Sequence, residues 1–156
     1  MVVVLLSFGL LCVLSAALAW IDIRQGIIPD WLNLTIASLG LIKIVLTGDP
    51  TAGIAAVGEG AIIGGIFWLL RRLYFAVRGV QGLGLGDVKF LGAAGIWVGV
   101  AGIPFVLLVA TMTALARVGV MQISGRALTA QTSMSFGPFL AAGLLLTSGF
   151  QQYGLF

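Results

Sequence analysis

Long apolar stretches, separated by short polar ones, run along the whole chain. Six of them are long enough to form helices, at residues 2–20, 31–46, 51–70, 88–100, 103–123 and 136–150. A helix that crosses a membrane needs roughly 20 mostly apolar residues, so the pattern predicts an all-α, polytopic membrane protein of about six transmembrane helices. We expect one membrane-embedded domain over residues 1–156. The stretch at 88–100 is short, and a re-entrant hairpin with the next stretch is the alternative.

The composition agrees with a lipid environment and excludes several kinds of site. With 60% hydrophobic and 8% charged residues, a chain of 156 residues is too apolar to be a water-soluble globule. It has no histidine and one cysteine, Cys12, which excludes an internal disulfide, a Ser–His or Cys–His nucleophile and a Cys/His metal cluster. The net charge of +3 contains no basic run, so we expect membrane lipid, not nucleic acid, as a partner.

The basic residues predict the orientation of the bundle. Most of them fall on one side of the six predicted helices: Arg24, Arg71, Arg72, Arg78, Lys89 and Arg126. By the positive-inside rule this side is cytoplasmic and both termini lie outside. Lys43 and Arg117 fit this orientation by snorkelling to the headgroups. We therefore expect a multi-pass protein of the cell inner membrane.

Two aspartates carry the most specific chemical signal. Asp22 follows the first apolar stretch and Asp87 precedes the fourth, so the predicted topology brings both to the cytoplasmic interface. Two carboxylates at one membrane depth can share a proton, as in aspartic proteases. The ionised one then takes a proton from the attacking water and the protonated one stabilises the oxyanion. Gly84 and Gly86 would leave room for an extended peptide, and no metal or cofactor is needed.

The acidic residues also allow simpler interpretations. Asp22 and Asp87 could pair with the nearby cations Arg24 and Lys89, or accept helix N-terminal amides, and only anchor their helices. For the other acidic residues we expect N-terminal capping by Asp30, a functionless turn at Asp49, and either a buried packing residue or a proton or ion site at Glu59.

Glycine is abundant, with 23 residues, and several glycines occur at spacings that suit close helix packing. The pairs are Gly60 with Gly64, Gly92 with Gly95, and Gly95 with Gly99. Small residues at such spacings let two helix backbones approach closely in a membrane. We therefore expect close helix contacts at these pairs.

Three motifs occur in order along the chain, and together they resemble the type IV prepilin peptidases, a family of GxGD membrane aspartyl proteases. The first is Asp22 with IPD at residues 28–30, the second is GLGDVKFL at 84–91, and the third is FGPFLAAG at 136–143. GxGD alone is a weak signal. The ordered set of three, extending over nearly the whole chain, is specific.

The resemblance implies a membrane aspartic endopeptidase with Asp22 and Asp87 as its catalytic pair. In that family Gly84 and Gly86 would shape the substrate's approach, and Lys89 would assist the site or orient its helix. The implied substrate and partner is a pilin-like precursor, of the Flp type or a pseudopilin, whose short basic leader is cut at the cytoplasmic membrane interface.

The chain departs from the larger members of that family in two respects. It lacks their amino-terminal extension with paired CxxC motifs, and residues 78–81 read RGVQ without the acidic residue often found there. It therefore resembles a short, peptidase-only form. The chain shows no region that would hold S-adenosylmethionine, and we expect peptidase activity without assured N-methylation of the product.

The sequence also allows other functions. A small proton or cation transporter would need Glu59 as much as the two aspartates, whereas a non-catalytic pilus-assembly partner would keep the fold without cutting its client. A serine protease with Lys89 as base is a weaker idea. The candidate nucleophiles for it, Ser124, Ser133 and Ser135, are interpreted as residues of an ordinary polar loop.

Overall fold

The computed structural model describes residues 2–48, 50–80, 82–124, 135–152 and 154, and its regular elements are five α-helices. These are α1 (Val2–Gln25), α2 (Asp30–Thr47), α3 (Pro50–Arg78), α4 (Leu85–Ile123) and α5 (Gly137–Gln152). The described part of the chain contains no strand, so the expected all-α class is confirmed. Asp49, Arg126 and Ser133 lie outside the described residues, and the expectations placed on them stay predictions.

Four of the helices, α1 to α4, are long and apolar enough to cross a membrane, whereas α5 has only 16 residues. Large apolar side chains point outward along them; the exposed fractions of Leu6, Ile54 and Ile123, for example, are 69%, 77% and 89%. Such a surface is suited to lipid. The chain is a multi-pass membrane protein, and the count of six spans stays a prediction.

Helix α4 is a pair of antiparallel arms joined at Gly99. This residue has φ +72°, a left-handed conformation that glycine adopts without strain, and it interrupts the helix between a first arm at 85–98 and a second arm at 100–123. The Val98 carbonyl accepts a hydrogen bond from Gln151 near the end of α5, and the Arg117 guanidinium lies over the Phe139 ring near the start of α5. The chain therefore reverses at Gly99, and the two predicted stretches at 88–100 and 103–123 form one hairpin.

The two ends of the bundle can be named by their carboxylates. At the Asp22 end, α1 finishes, and α2, α4 and α5 begin, since Gly86 lies against Ile28 and Gly137 against Asp22. At the Glu59 end lies the reversal of α4. Arg24, Arg71 and Lys89 all lie at the Asp22 end, whereas Lys43 lies near Trp97 of the first arm.

Helix α4 forms the centre of the fold. In α4, 50% of the residues in the most apolar 18-residue segment are buried, against 22% in the corresponding segments of α1, α2 and α3. The α4 side chains that are at most 1% exposed include Phe90, Leu91, Ala94 and Val106. Helices α2 and α5 each contact both α1 and α4 and separate them, while α3 packs on the outside against α4 and α2. This arrangement leaves a gap between the end of α1 and the start of α4.

Close packing of α3 on the first arm depends on glycines. A Cβ on Gly60 would lie 2.7 Å from the Gly92 carbonyl oxygen, and one on Gly92 would lie 3.3 Å from the Gly60 carbonyl oxygen. Gly64 and Gly95 lie in the same contact. The expectation of close helix contacts is therefore confirmed for these four glycines. Gly99 also lies against α3, since a Cβ on it would lie 2.6 Å from Glu59 Oε2, and it makes the chain reversal as well.

The Glu59 carboxylate has a partner at this reversal. Its Oε2 accepts a hydrogen bond of 3.0 Å from the Val100 amide, which begins the second arm of α4. A carboxylate at a helix N-terminus satisfies a backbone amide that has no partner within the helix and interacts favourably with the helix dipole. Of the two interpretations left open for Glu59, this contact favours the structural one.

Candidate active site

Asp22 is presented by the way α1 ends. Gly26 has φ +66° and its amide donates to the Asp22 carbonyl oxygen at 2.8 Å, which ends the helix in a left-handed glycine. The chain then turns through residues 27–29 into α2, and Asp22 stays in the last turn of α1. Its side chain is only 4% exposed. A carboxylate this deeply buried needs polar partners.

Those partners come from the start of α5. The Ser135 hydroxyl donates a hydrogen bond to Asp22 Oδ2, and the Gly137 amide donates to the same oxygen at 2.8 Å. The amides of Phe139 and Leu140 donate to the Phe136 carbonyl, so the hydrogen bonds of α5 begin at that carbonyl. The Gly137 amide precedes these donors, and it donates to Asp22 instead. A Cβ on Gly137 would overlap Oδ2 and lie 2.9 Å from Asp22 Cγ, so only glycine allows this approach.

Asp87 lies in the first turn of α4. Gly84 is the N-cap of this helix, and the Asp87 carboxylate, three residues later, lies close to the Gly84 backbone. A Cβ on Gly84 would lie 2.9 Å from Asp87 Oδ2. The absence of a side chain at Gly84 therefore lets the carboxylate fold back over the start of the helix.

Both carboxylates line one cavity of about 1030 Å³ at the Asp22 end. Its walls are formed by the turn after α1, by residues 82–86, where α4 begins, and by Ser135 and Phe136 just before α5. Asp22 and Asp87 are close enough for their charges to interact. The structure thus brings the two predicted site aspartates together from helices that α2 and α5 keep apart.

Gly86 has a different neighbour from the one its motif suggested. A Cβ on it would lie 2.9 Å from Ile28 Cβ, in the turn between α1 and α2. Asn33 of α2 is 5% exposed and its Nδ2 donates to the Gly86 carbonyl at 3.5 Å. Gly86 thus lets the start of α4 approach the turn that follows Asp22. The role predicted for Gly84 and Gly86 in substrate approach stays a prediction.

Lys89 and Asp30 form an ion pair at the cavity. The Lys89 ammonium lies 2.7 Å from both Asp30 oxygens and links the first turns of α4 and α2. The prediction that Asp30 caps α2 is wrong: Pro29 is the N-cap residue and no side-chain capping bond forms. Asp30 is the first residue of the helix, one position too late to cap it.

The simpler interpretation of the two aspartates is half confirmed. Asp22 accepts the Gly137 amide at the start of α5, as that interpretation expected, and the Asp87 carboxylate lies close to the Gly84 backbone at the start of α4. The proposed cation partners are engaged elsewhere, because Lys89 binds Asp30 and the Arg24 guanidinium lies 4.5 Å from the centre of the Trp20 ring. Within the described ranges neither cation pairs with Asp22 or Asp87. Anchoring alone therefore leaves the shared cavity unexplained.

Sequence reasoning missed two polar residues of the site. Ser135 was interpreted as part of an ordinary polar loop, and that is wrong because its hydroxyl binds Asp22. Asn33 was treated only as part of an apolar run, yet its Oδ1 is buried without a partner among the described residues. A polar residue one helical turn after the IPD motif was the available signal for Asn33. For Ser135 it was closeness to the FGP motif.

Comparison with known proteins adds an independent observation. The family model described as "Type IV leader peptidase family" matches residues 9–119. A prepilin leader peptidase/N-methyltransferase of Burkholderia pseudomallei is 38% identical over 140 residues, which are 89% of this chain and 44% of that protein. The proteins of the same name from Escherichia coli and Xanthomonas campestris are 34% and 32% identical, over 85% and 80% of this chain and 58% and 43% of theirs. The chain thus spans about half the length of these curated relatives, and no solved structure matches it.

Proposed function

This chain belongs to the type IV leader peptidase family, and on that premise we propose that it is a membrane aspartic endopeptidase with Asp22 and Asp87 as the catalytic pair. The observation that carries the proposal is the convergence of these two carboxylates, from separate helices, on one cavity. Two interacting carboxylates can divide the tasks of base and acid between them. A single anchoring carboxylate has no such partner.

In the proposed mechanism Asp22 is the base. Its Oδ2 already accepts two hydrogen bonds, so that oxygen carries no proton of its own. Oδ1 takes a proton from a water molecule as the water attacks the scissile carbonyl. Protonated Asp87 donates a hydrogen bond to the developing oxyanion and then gives its proton to the leaving amine.

The proposed substrate is a pilin-like precursor with a short basic leader, of the Flp type or a pseudopilin. The charges of the cavity support this class, because among the described residues that line it three are acidic, Asp22, Asp30 and Asp87, and one is basic, Lys89. A cavity with an excess of negative charge attracts a basic peptide. Gly84, Gly86 and Lys89 would shape the wall against which the extended segment lies.

We further propose that the Asp22 end is cytoplasmic, with six spans, both termini outside and the protein in the inner membrane. In support, Arg24, Arg71 and Lys89 lie at that end of the bundle. The reversal at Gly99 supports six antiparallel segments because it returns the second arm of α4 to the Asp22 end. In this proposal residues 1–156 form one domain.

The test is cleavage of a co-expressed reporter precursor that has a basic leader, a glycine before the cut and an apolar helix after it. Wild type is compared with Asp22→Asn, Asp87→Asn and Glu59→Gln, each checked for insertion and folding. We expect both Asp variants to accumulate uncut precursor and Glu59→Gln to cut. Cleavage by either Asp variant, or several such precursors left intact by wild type, would overturn the proposal.

A further inference from the structure

The Ser135 hydroxyl is the one side-chain donor to the Asp22 carboxylate in the part of the chain that the structure describes. This hydroxyl and the Gly137 amide both donate to the same oxygen, Oδ2; in sequence the two donors flank Phe136. We propose that Ser135 is a positioning residue that sets the orientation of the Asp22 carboxylate toward the cavity. This inference rests on the proposed function.

The carboxylate needs such a fixed orientation because its terminal torsion is soft. The χ2 angle of an aspartate is broad and roughly two-fold, so one hydrogen bond leaves the plane of the carboxylate free to turn. Two donors that converge on one oxygen define this plane. With Oδ2 held by Ser135 and Gly137, Oδ1 is the oxygen left to meet a water molecule in the cavity.

The burial of Asp22 makes the second donor consequential. At 4% exposure the side chain has little access to bulk water that could replace a lost hydrogen bond. Ser135 and Asp22 both line the cavity, and the Ser135 hydroxyl donates to Asp22 Oδ2. Removal of the hydroxyl therefore changes the direction of the reactive oxygen and leaves most of the substrate-binding wall intact.

Ser135→Thr and Ser135→Val provide a matched pair of variants. Threonine and valine have nearly the same shape, and only threonine keeps the hydroxyl. We expect Ser135→Thr to stay within about threefold of wild type, and Ser135→Val to lose about tenfold or more in kcat with KM changed less than twofold, since small misplacements of a reacting group are costly. Ser124→Ala serves as a control because the Ser124 hydroxyl, at the end of α4, bonds back to the Val120 carbonyl and contacts neither aspartate within the described residues.

The outcomes separate this inference from the proposed function. If wild type cuts and the threonine and valine variants have equal kcat, or lose activity through KM, the positioning role is overturned and the peptidase proposal stands. If wild type does not cut, the proposed function fails. The inference is then decided by the rate at which a carbodiimide modifies Asp22, measured by mass spectrometry: faster modification in Ser135→Val than in Ser135→Thr supports it, and equal rates overturn it.

Discussion

The two ends of the bundle contain the same local contact, a carboxylate that accepts a helix N-terminal amide, but in different surroundings. At the Glu59 end a carboxylate accepts the amide that opens the second arm of α4, at 3.0 Å. At the Asp22 end a carboxylate accepts the amide that opens α5, at 2.8 Å. In each case an acidic side chain satisfies a helix N-terminus inside an apolar protein.

The surroundings of the two carboxylates differ. Glu59 faces the backbone at Gly99 and Val100, and a Cβ on Gly99 would lie 2.6 Å from its Oε2. Asp22 has a second donor in Ser135, a second carboxylate within electrostatic reach and a cavity of about 1030 Å³. A carboxylate bound to a helix N-terminus is thus enough to stabilise the helix. To act in catalysis it would also need a second carboxylate nearby and space for a substrate.

The sharpest way to break this comparison is to neutralise the carboxylates one at a time. Asp22→Asn and Asp87→Asn keep the side-chain shape, and we expect each to lower kcat by about 10²–10⁴-fold, the contribution of a general acid or base. We expect Glu59→Gln to keep kcat within about threefold. Single-turnover cleavage in detergent measures all three, and equal losses in the three variants would contradict the comparison.

A methyl group at Gly137 tests the close approach of α5 to Asp22. In Gly137→Ala the new Cβ would overlap Asp22 Oδ2, so we expect about a 100-fold loss in kcat as the carboxylate moves. Gly149→Ala is the control on the same helix, since its Cβ would only touch the Phe8 ring at 3.7 Å. Cleavage rates per folded protein decide the matter. A Gly137→Ala variant as active as the control would refute the contact.

Gly86 tests whether the start of α4 must approach the turn after α1. In Gly86→Ala the Cβ would lie 2.9 Å from Ile28 Cβ and separate the two segments, so we expect about a tenfold lower kcat through an altered distance between the carboxylates. Gly65→Ala has open space around it and should cut at the wild-type rate. If Gly86→Ala also cuts at that rate, the approach is not required.

At the Glu59 end the same kind of substitution should affect stability instead of chemistry. Gly99→Ala forces a left-handed conformation on an L side chain and crowds Glu59, and we expect a loss of about 1–2 kcal/mol in the free energy of unfolding. The folded fraction should keep the wild-type kcat. Thermal unfolding in detergent, read alongside cleavage, checks both, and a lower kcat in fully folded protein would show that the two ends are coupled.

The smallest effect is expected from the ion pair at the mouth of the cavity. Asp30 and Lys89 are 73% and 41% exposed, and exposed pairs contribute under about 1 kcal/mol to stability. Asp30→Asn should therefore leave the unfolding temperature nearly unchanged. If the lost negative charge matters for a basic leader, KM rises while kcat holds. A fall in kcat alone would argue for a direct role of the pair in chemistry.

Most of the helices could be predicted from the sequence because the apolar stretches that form them are long, although α3 continues beyond its stretch, through Arg71 and Arg72, to Arg78. The hairpin in α4 was foreseen only as an alternative, and its turning point was not, since Gly99 occurs among other glycines and only its backbone angles distinguish it. The pairing of Asp22 and Asp87 was foreseeable because acidic residues are rare in this chain. The donors to Asp22 were not, because Ser135 and Gly137 are 113 and 115 residues away from it in sequence.

The reversal at Gly99 also bears on how the protein enters a membrane. The first arm, residues 85–98, is about 21 Å long at 1.5 Å per residue, well short of the roughly 30 Å of a hydrocarbon core. No connecting loop separates it from the second arm, so the two arms form one helical hairpin that turns at Gly99. We expect the two arms to enter a membrane together, because the first arm alone is too short to cross one.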